Sequence, residues 1–597
     1  MPLRASEEFE VRIRIGGPAG FGIKAAGQTL AKLFARSGLE TFDLTEYPSL
    51  IKGGHNTYHL RVSTEQIHSH VLDTDILVAL DQETVALHIA ELGTGGAIMY
   101  DPDDFDPLTL GIVDLRPNDR CLVPVPLKSI VREAGGPAIM RNTASLGAVL
   151  GYIGFPFEPL QESLTSQFAR KGPAIVEQNV AIAKAGYDHA RANECGFPYR
   201  LQPLPENGKR LLVDGNEAVF LGAMAAGVGF YSAYPMTPAS SLLHLMAAHG
   251  EKEGVVVKHA EDEIAAINMV IGAAFGGTRA MCATSGGGFS LMVEALGFAG
   301  VSETACVVGV FTRPGPATGM PTWTEQSDLR FVLHASQGEF PRVVLAPGDH
   351  QDAFDLTWRA FNLADLLQTP VIILGDTYLS DNRRTVTRFD GSEVSIDRGS
   401  LVTEGDLTEH PEALDAEGRY ARYKDSPSGV SLRALPGVIG AEQIVNSYEH
   451  DERGFGSLGE DAHTRVVQNE KRMRKMELAR DLVPPPVRLG PEQADLSIIL
   501  FGSTKMPTLE AMGILQDEGI VINILQCVTL WPFPAEEVRA FLDSAGRTAV
   551  IEGNMTGQLR GLIREHCLID VDETLNRYDG RPFSPDQIAR WVKEVIQ

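Results

Sequence analysis

Between residues 254 and 374 the chain returns five times to a short, almost unbroken apolar run, at 254–257, 280–284, 305–311, 343–346 and 370–374. Such runs suit central strands of a parallel sheet covered on both faces, because a sheet with one wet face would alternate apolar and polar residues. Parallel neighbours need crossovers, and stretches of helical apolar spacing separate the runs. The class this predicts is α/β.

The same grammar brackets this region. Glu10-Val11-Arg12-Ile13-Arg14-Ile15 alternates as a strand, the glycine-rich turn Gly16-Gly17-Pro18-Ala19-Gly20-Phe21-Gly22 follows, and a helix with Leu30, Leu33 and Phe34 comes next. Strand-like runs at 75–80, 97–100 and 121–125 complete a first α/β domain with a largely parallel sheet, over residues 1–195. A second α/β domain spans 205–385, its first strand at Arg210-Leu211-Leu212-Val213. Residues 386–490 lose periodicity and gain charge, which reads as an extended excursion and linker with one polar helix, about 461–482, stopped by Pro484-Pro485-Pro486. Strands at 496–501, 520–525 and 548–552 alternate with helices at 508–516 and 535–542 in a third α/β domain, 491–597. Three to four domains is also what 597 residues predict at ~150 residues each.

With 52 basic against 78 acidic residues the net charge is −26, which disfavours nucleic acid and anionic membrane surfaces as partners. No apolar stretch approaches the ~20 residues of a membrane span. The acidic N-terminus enters a strand at once, so the expectation is a cytoplasmic protein without a signal peptide. Cys121, Cys195, Cys282, Cys306, Cys527 and Cys567 lie far apart. Iron–sulfur clusters and structural zinc need clustered thiolates, so this chain is expected to hold neither, and no metal of its own.

Four segments of the second domain carry chemistry. In Ala233-Tyr234-Pro235-Met236-Thr237-Pro238 two prolines fix the backbone around a threonine hydroxyl just before a helix, where a helix cap is the plainer reading. In Lys258-His259-Ala260-Glu261-Asp262-Glu263 three acids open an otherwise apolar helix; acids there complement the helix dipole, but Glu263 stands where the helix turns apolar. A carboxylate drawn inward there can share a proton with a nitrogen heterocycle. Ala283-Thr284-Ser285-Gly286-Gly287-Gly288 is a strand end and glycine turn, either an ordinary connection or a place for a ligand against backbone. In Thr312-Arg313-Pro314-Gly315-Pro316-Ala317-Thr318-Gly319-Met320-Pro321-Thr322, an arginine follows a parallel strand, where it can hold a carboxylate bidentately or pair with an acidic neighbour.

In this order the four segments resemble the α subunits of the 2-oxoacid:ferredoxin oxidoreductases. The resemblance extends to the family's γ domain through Gly16–Gly27 and Tyr47-Pro48-Ser49-Leu50-Ile51-Lys52-Gly53-Gly54-His55-Asn56. It extends to a transketolase C-terminal-like domain through Phe501-Gly502-Ser503-Thr504 and Ile551-Glu552-Gly553-Asn554-Met555-Thr556-Gly557-Gln558-Leu559. The fused γ–α arrangement looks most like the 2-oxoglutarate-using type.

That resemblance implies a thiamine diphosphate site with Glu263 on the aminopyrimidine and Tyr234, Pro235, Ser285, Gly286 and Gly287 around the cofactor. It implies Thr237, Arg313 and Thr322 on the substrate's carboxylate and carbonyl. Lys52 and His55, set among paired glycines, either bring one of the two to the distal carboxylate of 2-oxoglutarate or stand on a solvated turn. Gly17–Gly22 either binds a phosphate of coenzyme A or simply packs helix on strand. The Gly-Asp-Gly that grips a magnesium diphosphate is missing, and Gly375-Asp376-Thr377 is the nearest string. Magnesium, diphosphate and a 4Fe-4S cluster are therefore expected on a separate β subunit, in a heterotetramer of two α and two β chains that passes electrons to ferredoxin. Rival readings are a pyruvate or branched-chain enzyme of the same family, a non-oxidative thiamine-dependent decarboxylase, and a nucleotide-binding scaffold without catalysis.

Overall fold

The computed structural model of the protein describes residues 9–49, 54–111, 121–193, 200–205, 210–405, 407–456 and 461–597. The chain divides into two compact units, the first made of residues 1–213, 381–388 and 584–586, the second of the remainder.

The first unit contributes β1 (Glu10–Pro18), β2 (Glu40–Glu46), β3 (His55–Ser63), β4 (Thr74–Ala79), β5 (Leu92–Tyr100), β6 (Cys121–Pro124) and β7 (Arg210–Asp214). The second contributes β8 (Phe230–Ala233), β9 (Val256–His259), β10 (Ala280–Thr284), β11 (Cys306–Thr312), β12 (Val343–Leu345) and β13 (Pro370–Asp376). The chain then returns to the first unit for β14 (Arg383–Thr387). Back in the second unit follow a short pair, β15 (Leu401–Val402) and β16 (Arg433–Ala434), then β17 (Val487–Leu489), β18 (Leu496–Leu500), β19 (Ile522–Gln526), β20 (Thr529–Trp531), β21 (Thr548–Glu552) and β22 (Glu573–Asn576).

The first sheet runs β6-β5-β4-β1-β3-β2-β14-β7. It is mixed rather than largely parallel. β1 lies parallel to β4 but antiparallel to β3, with Gly16 opposite Thr57 and Pro18 opposite His55, so the first two glycines of the motif are strand rather than turn. The strand at 210–214, expected to open the second domain, closes the edge of this first sheet beside β14. Register with partners so remote in sequence leaves no local trace.

The second unit holds a seven-stranded sheet, β20-β12-β13-β11-β10-β8-β9, and a five-stranded one, β17-β19-β18-β21-β22. β10, β11 and β13 are buried on both faces as their composition predicts. The run at 254–257 departs from that expectation, because β9 is an edge strand whose Val256 is 60% exposed. One apolar core, from Ile267 and Phe289 through Val308 and Leu374 to Ile499 and Leu562, runs through both sheets of this unit.

Residues 386–490 are not a linker. Val402, Leu407, Ala413, Tyr420, Ala434 and Val438 form a small core, and the helix Ala462–Leu482 packs its polar side chains inward. Lys471 and Lys475, both 0% exposed, each pair at 2.5 Å with Glu303, also 0% exposed. Arg422 donates to the Glu303 carbonyl at 2.8 Å. Three surrounding cations hold Glu303 ionised although it is buried, while burial and the neighbouring lysine push Lys471 down to about 7. Cys282, Cys306, Cys527 and Cys567 are free and buried, so they serve as small core residues.

Candidate functional site

Four loops meet at the carboxyl ends of β8, β9, β10 and β11, the edge where open α/β sheets bind ligands. Glu263 opens the helix Glu263–Phe275, whose cap is Asp262, accepting from the Ala265 N–H at 2.8 Å. Asp262 therefore does the capping, and Glu263 is left to point inward at 3% exposure. Its Oε1 has no hydrogen-bond partner among the described residues. The glycine run does not form a separate turn: the helix Gly286–Val301 begins at once, and all three glycines lie in its first turn. A methyl group on Gly288 would overlap both Thr284 Oγ1 and Glu263 Oε1, so the bare backbone here is what lets the carboxylate in. Ser285, 0% exposed, also keeps its hydroxyl without a partner. A buried polar atom left this way can take a hydrogen bond from a guest that bears the complementary group. A protonated ring nitrogen is such a group for Glu263, so the residues present fit an aminopyrimidine.

The segment before the helix Ser240–His249 is braced from below. Asn216, fully buried, donates to the Pro238 carbonyl at 2.9 Å and to Ser241 Oγ at 2.6 Å. Met236 Sδ lies 3.9 Å from Thr284 Oγ1, which joins this loop to the pocket of Glu263. Tyr234 is exposed and faces His259 with ring centroids 6.4 Å apart, and Pro235 is half-buried. Arg313 leaves the end of β11 and donates to the Thr237 carbonyl at 2.9 Å. Among the described residues no carboxylate pairs with it, and partial burial alone lowers its affinity for a proton. A half-buried cation without a counter-ion is a ready receptor for an anion. Its loop closes on itself through Met320 N–H to the Pro314 carbonyl at 3.0 Å, with Thr322 half-buried beyond it.

Sequence reasoning missed the residues that anchor this loop. Gln326 accepts from Gly553 N–H at 2.8 Å through its side chain, donates to the Phe501 carbonyl at 3.1 Å, and its own N–H meets the Gly553 carbonyl at 2.6 Å. Asp376 turns out to be a structural acid: it accepts from Ser503 Oγ at 2.6 Å and from Leu379 N–H at 2.9 Å. Glu552 accepts from Leu559 N–H at 2.8 Å and Asn554 Nδ2 at 2.7 Å, which accounts for the Glu552-Gly553-Asn554 motif as a helix anchor. Asp328 sits against Gly286, its acidity weakened by burial and by Glu325 until it titrates at about 6. The only available hint was the polar cluster Thr324–Asp328 directly after the arginine loop.

Ile264 (49% exposed) and Leu291 (50%) are exposed apolar residues near the starts of two packed, mostly apolar helices, Glu263–Phe275 and Gly286–Val301. No described helix is long and apolar enough to cross a membrane.

Two residues were expected in the first unit. Lys52 lies outside the described residues. His55 opens β3, with the carboxylates of Asp81 and Glu83 and the ring of His88 as its close neighbours. Gly17 packs on Leu80 and Ile23, as a helix-on-strand contact would, while the open side of Gly20 borders a cavity of about 180 Å³ that includes Asp101, Asp104 and Arg141.

Comparison with known proteins agrees with this layout. Residues 12–189 match the family described as pyruvate ferredoxin/flavodoxin oxidoreductase. Residues 221–455 match its thiamine diphosphate-binding domain, and 494–588 match core domain II of pyruvate:ferredoxin oxidoreductase. The chain is 34% identical to subunit alpha of 2-oxoacid:ferredoxin oxidoreductase 2 from Aeropyrum pernix, covering 98% of each. It is 31% identical to a 2-oxoglutarate synthase subunit of Methanothermobacter thermautotrophicus, covering 64% of this chain and 98% of that one. A solved 2-oxoglutarate:ferredoxin oxidoreductase from Magnetococcus marinus, with 2-oxoglutarate, coenzyme A and succinyl-CoA bound, superimposes with a TM-score of 0.89 at 33% identity, over 98% of this chain and 100% of that one.

Proposed function

This chain belongs to the thiamine diphosphate-dependent 2-oxoacid:ferredoxin oxidoreductases as an α subunit with a fused γ domain, and we propose that it takes 2-oxoglutarate with coenzyme A to succinyl-CoA, CO2 and reduced ferredoxin, or runs that reaction in reverse. The observation that carries the reading is that one sheet edge holds two groups with hydrogen-bonding capacity to spare, the buried Glu263 carboxyl, whose Oε1 has no partner among the described residues, and the Arg313 guanidinium, which no described carboxylate pairs. The choice of 2-oxoglutarate is supported by the full-length likeness to the Magnetococcus enzyme and its ligands.

Thiamine diphosphate, when bound, supplies the thiazolium that accepts the electrons released as CO2 leaves. Glu263 would hold at Oε1 the proton it shares with the aminopyrimidine ring nitrogen, and so would favour the ring's reactive tautomer. Tyr234, Pro235, Ser285, Gly286 and Gly287 would flank the ring, and the bare backbone of Gly288 leaves room for the carboxylate. Arg313 binds the substrate carboxylate through charge-assisted hydrogen bonds, with the hydroxyls of Thr237 and Thr322 placing the carbonyl. The side chain of Asp376 has no share in gripping diphosphate, since Ser503 and Leu379 already occupy it. Magnesium, diphosphate and the 4Fe-4S cluster belong to a β subunit that covers the exposed Ile264 and Leu291, in a heterotetramer of two α and two β chains.

The test is to co-purify the chain with its β partner and measure ferredoxin reduction across a panel of 2-oxoacids with coenzyme A. The expected result is a clear preference in kcat/KM for 2-oxoglutarate over pyruvate and branched-chain 2-oxoacids. A preference for either of the latter overturns the substrate assignment, and turnover without ferredoxin reduction overturns the oxidative reading.

A further inference from the structure

The carboxylates around His55 point to a function that the oxidoreductase reaction does not use. His55, Asp81 and Glu83 each offer a ligand atom, and these three atoms all lie within 4.8 Å of one another. Asp81 caps the helix Gln82–His88 with Oδ1 alone, which accepts from Thr84 N–H at 2.9 Å and Thr84 Oγ1 at 2.6 Å, so Oδ2 remains available. Glu83 is exposed, so its side chain is free to change rotamer and turn inward. His55 Nδ1 is buried and has no hydrogen-bond partner among the described residues.

The other nitrogen of His55 is held. Nε2 lies 3.0 Å from His88 Nε2, and His88 Nδ1 is shared between Glu91 Oε2 at 2.9 Å and Arg14 Nη1 at 2.6 Å. Arg14, itself buried, also pairs with Glu91. A cation at Nδ1 requires His55 Nε2–H to donate to His88 Nε2 and His88 Nδ1–H to donate to Glu91 Oε2, so the Arg14 guanidinium, which can only donate, must leave His88 Nδ1 and keep to Glu91, which it already holds. A histidine anchored through its second nitrogen to a carboxylate relay is how proteins fix imidazole ligands. The glycine motif makes the gathering possible, because a methyl group on Gly16 would overlap Thr84 and press on His55. This cluster uses imidazole and carboxylates, so it needs none of the clustered thiolates that the chain lacks.

We infer that His55, Asp81 and Glu83 form a binding site for a divalent first-row transition ion of the zinc type, tying the start of β3 to the helix Gln82–His88. One nitrogen and two oxygen donors with room for water suit such an ion. Closing the ligand set needs the inward turn of Glu83.

The experiment uses the co-purified complex, depleted of loosely bound metal, and titrates it with Zn2+ by calorimetry beside the double variant Asp81→Asn, Glu83→Gln. Asparagine caps a helix as well as aspartate does, and Glu83 is exposed, so the variant retains the fold. The expected result is one tight site in the native complex, weakened at least about 10-fold in the variant. X-ray absorption of the native complex with one equivalent of Zn2+ should show the outer-shell scattering of an imidazole ring behind a first shell at ~2.0 Å, absent in His55→Gln. Identical isotherms for the two proteins, or no imidazole signal in the native one, overturns the site.

Discussion

Glu303 and Glu263 are buried alike, at 0% and 3% exposure in the same unit, yet their surroundings are opposite. Glu303 has an ammonium on each oxygen and an arginine on its carbonyl. Glu263 has one oxygen that touches no donor. A charge enclosed by protein partners fixes architecture, whereas a charge with unused valence is kept for a visitor. Arg313 falls on Glu263's side of that division.

The comparison breaks most visibly at Glu303. Glu303→Gln strands two buried ammoniums and should cost about 3–5 kcal/mol, read as a lower urea midpoint; an unchanged midpoint would dissolve the contrast. Glu263→Gln should do the reverse, lowering kcat about 10³-fold while the midpoint stays put. Arg313→Met should lower kcat/KM by about 2–3 kcal/mol of lost charge-assisted binding, with stability equal or higher because an uncompensated cation is gone. Asp262→Ala, which removes only the helix cap, should cost ~1 kcal/mol, and Asp262→Asn close to nothing.

The gentlest probe is pH. Asp328 titrates at about 6 in the fold against an ordinary 3.8. Between these values the folded chain holds more protons than the unfolded one, so stability falls as pH rises through that window and levels off above it. Asp328→Asn should make this slope shallower in urea unfolding followed from about pH 4 to 7, the remainder coming from Asp43 and Asp381, which burial pushes up to about 7 and about 6. An unchanged slope would assign it wholly to those other acids.

Much of the site was legible because its chemistry is local. Proline-fixed Thr237, the apolar turn at Glu263, the glycines before Phe289 and the arginine after β11 each sit within a dozen residues of the pattern that marks them. What escaped was long-range. Nothing near Gln326 in sequence names Phe501 or Gly553, and nothing near Arg210 names β14. The helix Ala462–Leu482 reads as solvated because lysine usually is, and only the position of Glu303 makes its burial sensible. The open face of β9 escaped for a related reason, since an apolar run reads the same whether its cover is its own chain or another.

Gln326 carries a consequence for how such a protein can change. It links the arginine loop by backbone and side chain to the ends of two strands of the five-stranded sheet, and Arg581 stacks over Trp323 at 3.2 Å from the same side. A loop fastened this way cannot be traded alone. Recombination that brings in a new substrate grip would succeed only when the segment around 501 and the stretch from 552 to 581 travel with it, as one inherited cassette.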